Sequence, residues 1–187
     1  MKMLYLPHLG MAALLSAVLP PLAQAAPFHA GECPLPQAIY TPVEDDSFGQ
    51  YTGYELQHSR KKLRANQSHM VVTIRAPQQK DGKPARSYDF GFAFSNGYGR
   101  TSLVFAGESA KSATYRPPKN DEDDGPGSHI QYFDAELKEA APHDGKYESS
   151  PAYLIMPEIG LNFWYWQGGD RTFVPSGGMW KRTACRK

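Results

Sequence analysis

The stretch that decides the fold runs from Arg86 to Ala106 and reads Arg-Ser-Tyr-Asp-Phe-Gly-Phe-Ala-Phe-Ser-Asn-Gly-Tyr-Gly-Arg-Thr-Ser-Leu-Val-Phe-Ala. Aromatic side chains occupy every second position of its first half: Tyr88, Phe90, Phe92 and Phe94. Aromatic residues at a period of two are typical of a β-strand. Asn96-Gly97 follows, and these two residue types best tolerate the positive φ angles of a type I′ turn. The stretch therefore predicts a β-hairpin.

A two-residue turn at Asn96-Gly97 would also set the pairing of the two strands. The expected partners are Phe92 with Thr101, Phe90 with Leu103, and Tyr88 with Phe105. One face of this hairpin would be aromatic and the other small or polar, because side chains alternate along a strand.

Other segments repeat this pattern. Ser68 to Ala76 predicts a strand with inward Met70, Val72, Ile74 and Ala76. Tyr51 to His58 predicts another, with Thr52, Tyr54, Leu56 and His58 on one side. A short helix over residues 134–141 is the alternative to a strand there. Many short strands separated by turn residues predict an all-β fold, a small antiparallel β-barrel or β-sandwich of about 8–10 strands with at most one short helix.

The N-terminus has the features of a secretory signal peptide over residues 1–25. Lys2 precedes an apolar run that ends before Ala23-Gln24-Ala25, a small-x-small cleavage pattern. Residues 26–187 are then expected to form a single β-rich domain. No later run approaches the roughly 20 apolar residues of a transmembrane helix. The expected product is soluble, has no membrane span, and is secreted or periplasmic.

Two cysteines remain after the leader, Cys33 and Cys185. An exported protein meets an oxidising compartment, so they are predicted to pair within one chain. Two thiols without a nearby histidine do not suggest a metal site, and none is expected. Without the leader, basic and acidic side chains are equal in number, which argues against a nucleic-acid partner.

No catalytic or cofactor motif stands out, so no cofactor is expected. The five histidines after the leader lack ligand spacing, and each is predicted to lie at the surface: His29, His58, His69, His129 and His143. Ser176 lies in Val-Pro-Ser-Gly-Gly and predicts a turn, because the preceding glycine of a nucleophile elbow is missing. Residues 120–124 are acidic, and a mobile loop is a better interpretation than a calcium site, because the helix-loop-helix ligand positions do not match.

The segment from Ala152 to Trp166 is the most apolar after the leader. We expect a hairpin that is apolar on both faces, so that its second face meets a cavity, another layer or a partner. Aromatic rings around a single amide are typical of a pocket for an apolar or sugar-like ligand. The predicted binding residues are Tyr153, Asn162, Trp164 and Trp166.

These patterns favour an exported binding protein without catalytic activity, which holds a small apolar or sugar-like ligand, or a protein partner, at an aromatic site. One alternative is a secreted hydrolase or transferase whose catalytic residues are dispersed along the chain. Another is an enzyme inhibitor or immunity-type protein that acts through a protruding loop, for which residues 120–127 are the candidate.

Overall fold

The computed structural model describes residues 33–43, 53–63, 69–77, 85–94, 101–114, 125–140, 149–166 and 173–186. Several sequence predictions lie outside these ranges: the leader over residues 1–25, the surface positions of His29 and His143, the turn at Asn96-Gly97, and the acidic residues 120–124.

Eight antiparallel strands form a closed barrel in which each strand pairs with its neighbours in sequence and the last pairs with the first. The strands are β1 (Ala38–Pro42), β2 (Glu55–Arg60), β3 (Met70–Ala76), β4 (Arg86–Phe94), β5 (Thr101–Glu108), β6 (Ser128–Phe133), β7 (Tyr153–Ile155) and β8 (Met179–Cys185). One α-helix, α1 (Ile159–Trp166), lies between β7 and β8, and 3₁₀ turns occupy Leu35–Gln37 and Ser112–Thr114. The predicted all-β class is confirmed, and the barrel replaces the sandwich alternative.

Alternating side chains place the core inside the barrel. On β3 the predicted inward residues, Met70, Val72, Ile74 and Ala76, are all buried in the main hydrophobic cluster. Val71 points outward and is buried in a second, small cluster with Leu63 and Ala106. The helix that was the alternative over residues 134–141 is absent from the described part of that segment, because a turn with Leu137 at positive φ leads instead to a bridge between Phe133 and Glu139.

The predicted register of the β4–β5 hairpin is wrong by two residues. Phe92 pairs with Leu103 instead of Thr101, Phe90 pairs with Phe105, and Thr101 pairs with Phe94. A shift of two leaves every side chain on its predicted face, so the burial pattern cannot detect it. The expectation depended entirely on a two-residue turn centred on Asn96-Gly97, and the observed pairs are not symmetric about these two residues.

A β-bulge interrupts the same strand pair near its other end. Phe90 pairs with Phe105 and Tyr88 pairs with Glu108, so β5 has one residue more than β4 between these pairs. Gly107 lies in the bulge with a φ of 85°, a conformation that glycine adopts at little cost. The bulge brings the end of β5 over Asp89 on the outer face of the sheet.

The predicted hairpin over Ala152–Trp166 is also wrong in its second half. Its first half forms β7, but residues 159–166 form α1 rather than a strand. Phe163 is buried while Leu161 and Tyr165 are 60% and 73% exposed, so the helix shields one face. Aromatic residues favour strands by propensity, but the need to cover the barrel end decides the local structure here.

The two ends of the barrel are closed by different elements. At the helix end, α1 covers the opening where β4 begins and β5 ends. At the disulfide end, Cys33 is bonded to Cys185, with a sequence separation of 152 residues. Leu35, in the 3₁₀ turn that follows Cys33, is fully buried there. The predicted disulfide is confirmed, and it joins the start of the described chain to the last strand.

Candidate functional site

Six aromatic rings gather at the helix end and form what we call the helix-end aromatic cluster. Its members are Tyr88, Phe90, Phe105, Phe163, Trp166 and Phe173. Ring centroids lie 4.6 Å apart for Tyr88 and Phe173, and 4.8 Å apart for Phe163 and Phe173. Such edge-on and tilted pairs each stabilise the packing by about 0.5–1.5 kcal/mol beyond area burial.

Trp166 is the member of this cluster that reaches solvent. Its ring lies 4.9 Å from Phe105 and 5.9 Å from Phe163, measured between centroids, yet the residue is 46% exposed. Phe163 and Phe173 are fully buried. The cluster is therefore continuous from the barrel core to the surface, with Trp166 at its rim.

The N-terminal part of α1 is tightly packed. A Cβ atom on Gly160 would lie 2.6 Å from the carbonyl oxygen of Pro175, and one on Gly177 would lie 2.8 Å from the carbonyl oxygen of Pro157. These approaches exclude any larger residue unless the backbone moves. The two backbone segments are thus held together where α1 begins.

Glu158, immediately before α1, fastens the helix to β6. Its carboxylate accepts hydrogen bonds from Ser128 Oγ at 2.9 Å and from the backbone N–H of His129 at 3.0 Å, and its other oxygen lies 3.3 Å from His129 Nδ1. Partial burial alone would raise the pKa of Glu158, but these hydrogen bonds outweigh it and the pKa is lowered. The Glu158 carboxylate is therefore ionised and holds the start of α1 against β6.

A second set of polar side chains lies inside the barrel towards the disulfide end. We call it the disulfide-end polar cluster: Tyr40, His58, Tyr132, Ser150 and Arg182. His58 Nε2 lies 2.8 Å from the hydroxyl oxygen of Tyr132, and its ring stacks on Phe92 with centroids 6.3 Å apart. Burial lowers the pKa of His58 to about 3, so the imidazole is neutral at ordinary pH.

Arg182 and Tyr40 connect this cluster to the segment that precedes β7. Arg182 donates from Nη1 to the carbonyl oxygen of Ser150 at 2.8 Å and to its Oγ at 2.6 Å. The hydroxyl of Tyr40 donates to the carbonyl oxygen of Pro151 at 2.9 Å. Burial raises the pKa of Tyr40 strongly, although the charge of Arg182 and the Ser150 hydroxyl partly offset it. Both phenol and guanidinium therefore act as donors inside the barrel.

The surface prediction for His58 is wrong, since the residue is only 1% exposed. The strand pattern in the sequence indicated that His58 is buried. His58 lies on the same face of β2 as Leu56, and the strand pattern had already placed both with Tyr54 on one side. The surface prediction came instead from the lack of metal-ligand spacing, which considered each histidine alone. Tyr40, Tyr132 and Arg182 were not predicted as site residues, because they come from three separate strands.

The four predicted binding residues do not share one surface. Asn162 and Trp166 are four positions apart and lie on the same side of α1, whereas Trp164 projects from a different side. Tyr153 is half-buried on β7 at the disulfide end, where it pairs with Lys181. Asn162 donates from Nδ2 to the carbonyl oxygen of Gly127 at 2.6 Å. Ligand binding by these residues remains a prediction.

The most connected polar network lies outside the sheet. Asp89 is 1% exposed and accepts hydrogen bonds from four side chains: Thr73 at 2.8 Å, Ser109 at 2.7 Å, Ser112 at 2.6 Å and Lys61 at 2.8 Å. Burial alone would raise the pKa of Asp89, but the four donors lower it. The network holds the segment after β5 against β3 and β4.

The network also contains a serine and a lysine in contact, with Lys61 Nζ 2.7 Å from Ser112 Oγ. A serine nucleophile needs an adjacent base. Here the ammonium is paired with Asp89 and has no lone pair to accept a proton, while the Ser112 hydroxyl donates to the same carboxylate. This geometry stabilises a loop and does not activate a nucleophile.

A similar test applies to Ser128, His129 and Glu158. The Ser128 hydroxyl donates to Glu158 and lies 2.9 Å from the carbonyl oxygen of His129. Among the described residues no hydrogen bond joins this hydroxyl to the imidazole, so a nucleophile–base pair is not formed. Within the described ranges, no group of three or more His, Cys, Asp or Glu side chains is placed to hold a metal ion. No described helix is long and apolar enough to span a bilayer.

A cleft of about 360 Å³ opens between the start of β4 and the end of β5. Arg86 and Glu108 line it together with small residues.

Comparison of the chain with protein-family models, with curated proteins and with solved structures yields no match. Functional inference therefore depends on the geometry described above.

Proposed function

We propose that this chain is an exported binding protein without catalytic activity that holds a small apolar ligand at the helix-end aromatic cluster. An eight-stranded closed barrel is just wide enough either to be filled by its own side chains or to hold one small ligand. Ligand sites in proteins are mainly apolar and aromatic. The leader-like N-terminus and the Cys33–Cys185 disulfide support export.

The observation that carries the proposal is the continuity of aromatic rings beneath α1. The rings extend from buried Phe90 through Phe163 to Trp166, with centroid distances of 5.9 Å for both pairs. Among the described residues, the two-turn helix α1 lies over the deeper rings. A ligand arriving from outside would contact Trp166 first and could then replace ring–ring contacts with its own.

Entry requires movement of α1, since the rings are already in contact with one another. The start of the helix is fixed by the hydrogen bonds of the Glu158 carboxylate and by the close backbone contacts at Gly160 and Gly177. Its last turn holds Phe163 and Trp166 against the barrel by ring contacts. Outward rotation of this turn about the fixed start would expose Tyr88 and Phe105 while the barrel strands stay in place.

The polar groups at this end favour an apolar ligand over a sugar. Asn162 was the amide expected to orient a ligand, but its Nδ2 already donates to Gly127. Sugars require several convergent hydrogen-bonding groups in addition to a stacking surface. The cluster members other than Tyr88 and Trp166 are phenylalanines, which offer none.

The proposal is tested with N-phenyl-1-naphthylamine, an uncharged apolar fluorophore, titrated into the protein with residues 1–25 removed. We expect saturable binding at one site per chain. Trp166→Ala should weaken it about two- to tenfold, the equivalent of one ring contact. Tyr165→Ala is the matched control, because Tyr165 is adjacent on the same helix but 73% exposed and outside the cluster, and it should bind the probe as the unmodified chain does.

Two results would contradict the proposal. One is the absence of saturable probe binding to the folded chain. The other is an equal loss of affinity in Trp166→Ala and Tyr165→Ala, which would place the probe on the outer surface of the helix.

A second candidate function follows from the outer face of α1. Three of the five exposed large hydrophobic residues in the described ranges belong to this helix: Leu161, Tyr165 and Trp166. Exposed tyrosine and tryptophan are enriched at protein interfaces. In this case a protein partner would contact Leu161 and Tyr165, and substitutions there would abolish its binding without changing the affinity for the fluorophore.

A further inference from the structure

His58 has one satisfied and one unsatisfied ring nitrogen. Nε2 contacts the Tyr132 hydroxyl at 2.8 Å, whereas no described residue hydrogen-bonds to Nδ1. The residue is 1% exposed, so bulk water does not reach it. Burying a polar group without a partner is costly, and such a group in a barrel interior marks a place where a polar guest would be stabilised.

The groups around His58 define the chemistry of that guest. Tyr40 on β1 and Tyr132 on β6 face the imidazole, with ring centroids 5.8 Å and 5.7 Å away. Arg182 on β8 pairs with Tyr40 and brings a buried positive charge to the same cluster. Phe92 on β4 stacks on the imidazole and contributes no charge. A buried positive charge in the same cluster as an unpartnered imidazole nitrogen favours an anionic group.

We propose that the disulfide-end polar cluster receives the carboxylate of the apolar ligand, with His58 Nδ1 as a donor to it. The ligand class is then an apolar monocarboxylic acid. This inference rests on the function proposed above, because it supplies the head-group site for a ligand whose apolar body lies in the helix-end aromatic cluster. The site requires the tautomer in which the Tyr132 hydroxyl donates to Nε2 and the imidazole proton lies on Nδ1.

A line of rings joins the two clusters. His58 stacks on Phe92, Phe92 and Phe90 lie on the same face of β4, and Phe90 contacts Phe163 below α1. Tyr88 and Phe92 are four residues apart on one strand, a span of about 13 Å. A medium-length acyl or aryl chain can cover this span, with its carboxylate at one end and its tail beneath Trp166.

The first experiment compares cis-parinaric acid with its methyl ester, two fluorescent ligands that differ only in the head group. We expect the unmodified chain to bind the acid at least about tenfold more tightly, as one charge-assisted hydrogen bond predicts. His58→Gln keeps an amide group near the position of Nε2 and removes Nδ1. It should reduce this preference to about twofold or less.

The second experiment uses the unmodified chain, so it does not depend on a variant that folds. The ring resonances of His58 are followed by NMR during titration with decanoic acid and, separately, with methyl decanoate. We expect the acid to shift them and to raise the pKa of His58, because a nearby carboxylate favours the imidazolium. The ester should leave the pKa unchanged.

The outcomes separate the two proposals. If acid and ester bind equally well and His58 does not respond to the acid, the carboxylate site is wrong, while the apolar site stands. If neither parinaric ligand nor the uncharged fluorophore binds, the function proposed above is wrong as well.

Discussion

The helix end and the disulfide end close the same barrel in different ways. At the disulfide end, a covalent bond, a buried 3₁₀ turn and backbone hydrogen bonds join several distant segments, such as Ser150 N–H to the carbonyl oxygen of Cys33 at 2.8 Å. At the helix end, a single eight-residue helix covers aromatic rings and leaves Trp166 half exposed. Covalent and backbone ties resist local opening, whereas a short helix held by side chains opens more easily. Access to the interior is therefore expected at the helix end.

The largest loss of stability is expected when the Cys33–Cys185 disulfide is removed. Replacing both cysteines, Cys33→Ser with Cys185→Ser, opens a loop of 152 residues and should lower the free energy of unfolding by up to about 5 kcal/mol. This corresponds to a fall of about 10–20 °C in the melting temperature. Calorimetry measures it. Hydrogen exchange should show faster exchange of the Ser150 amide and unchanged protection in α1; faster exchange in α1 alone would contradict the assignment of the two ends.

A somewhat smaller loss of stability is expected when the buried Phe163 ring at the helix end is removed. Phe163→Ala removes a fully buried ring from the aromatic cluster and should cost about 3–5 kcal/mol in the free energy of unfolding. Urea denaturation measures this loss. Tyr165→Ala on the same helix should change stability by no more than about 0.5 kcal/mol, because its ring is exposed. Similar losses in both variants would mean that α1 is not oriented as described.

Acid should weaken the disulfide-end polar cluster before any carboxylate titrates. The pKa of His58 is lowered from about 6.5 to about 3 in the folded chain. The unfolded chain therefore takes up a proton first, and stability falls as the pH decreases from 6.5 towards 3, by about 1.4 kcal/mol per pH unit well inside this window. Asp89, whose pKa is lowered from a carboxylate value, contributes only below about pH 4.

The measurement for this prediction is the urea midpoint at several pH values between 6 and 4.5. His58→Gln does not titrate in this range and should show a flatter dependence than the unmodified chain. Parallel curves for the two proteins would show that His58 is not buried in its neutral form.

Several features of the fold were predictable because they depend on alternation alone. The period of two in β3 and β4 identified the strands and their buried faces, and two cysteines with an export-type leader were enough to predict the bridge. The register of Phe92 was not predictable in this way, since a slip of two residues preserves every face. The pairing register depends on how β4 and β5 are connected, and the two-residue motif Asn96-Gly97 did not determine it.

The candidate sites were less accessible from sequence. The run from Ile159 to Trp166 lacks a polar side except Asn162, so helix and strand could not be separated by periodicity. The helix forms because it buries Phe163 against the aromatic rings at the end of the barrel. This burial is possible only once the barrel is closed. The disulfide-end polar cluster combines residues from β1, β2, β6 and β8, and their proximity follows from barrel closure rather than from any spacing along the chain.

The central claim is that α1 is the opening element of an otherwise closed barrel, and native-state hydrogen exchange tests it most directly. The Trp166 amide, in the last turn of α1, is compared with the Arg182 amide, which donates to the carbonyl oxygen of Ala152 at the disulfide end. We predict that, after correction for intrinsic rates, the Trp166 amide exchanges about thirtyfold or more faster through local opening, and that N-phenyl-1-naphthylamine slows it. Equal protection of the two amides, unchanged by the fluorophore, would contradict the account.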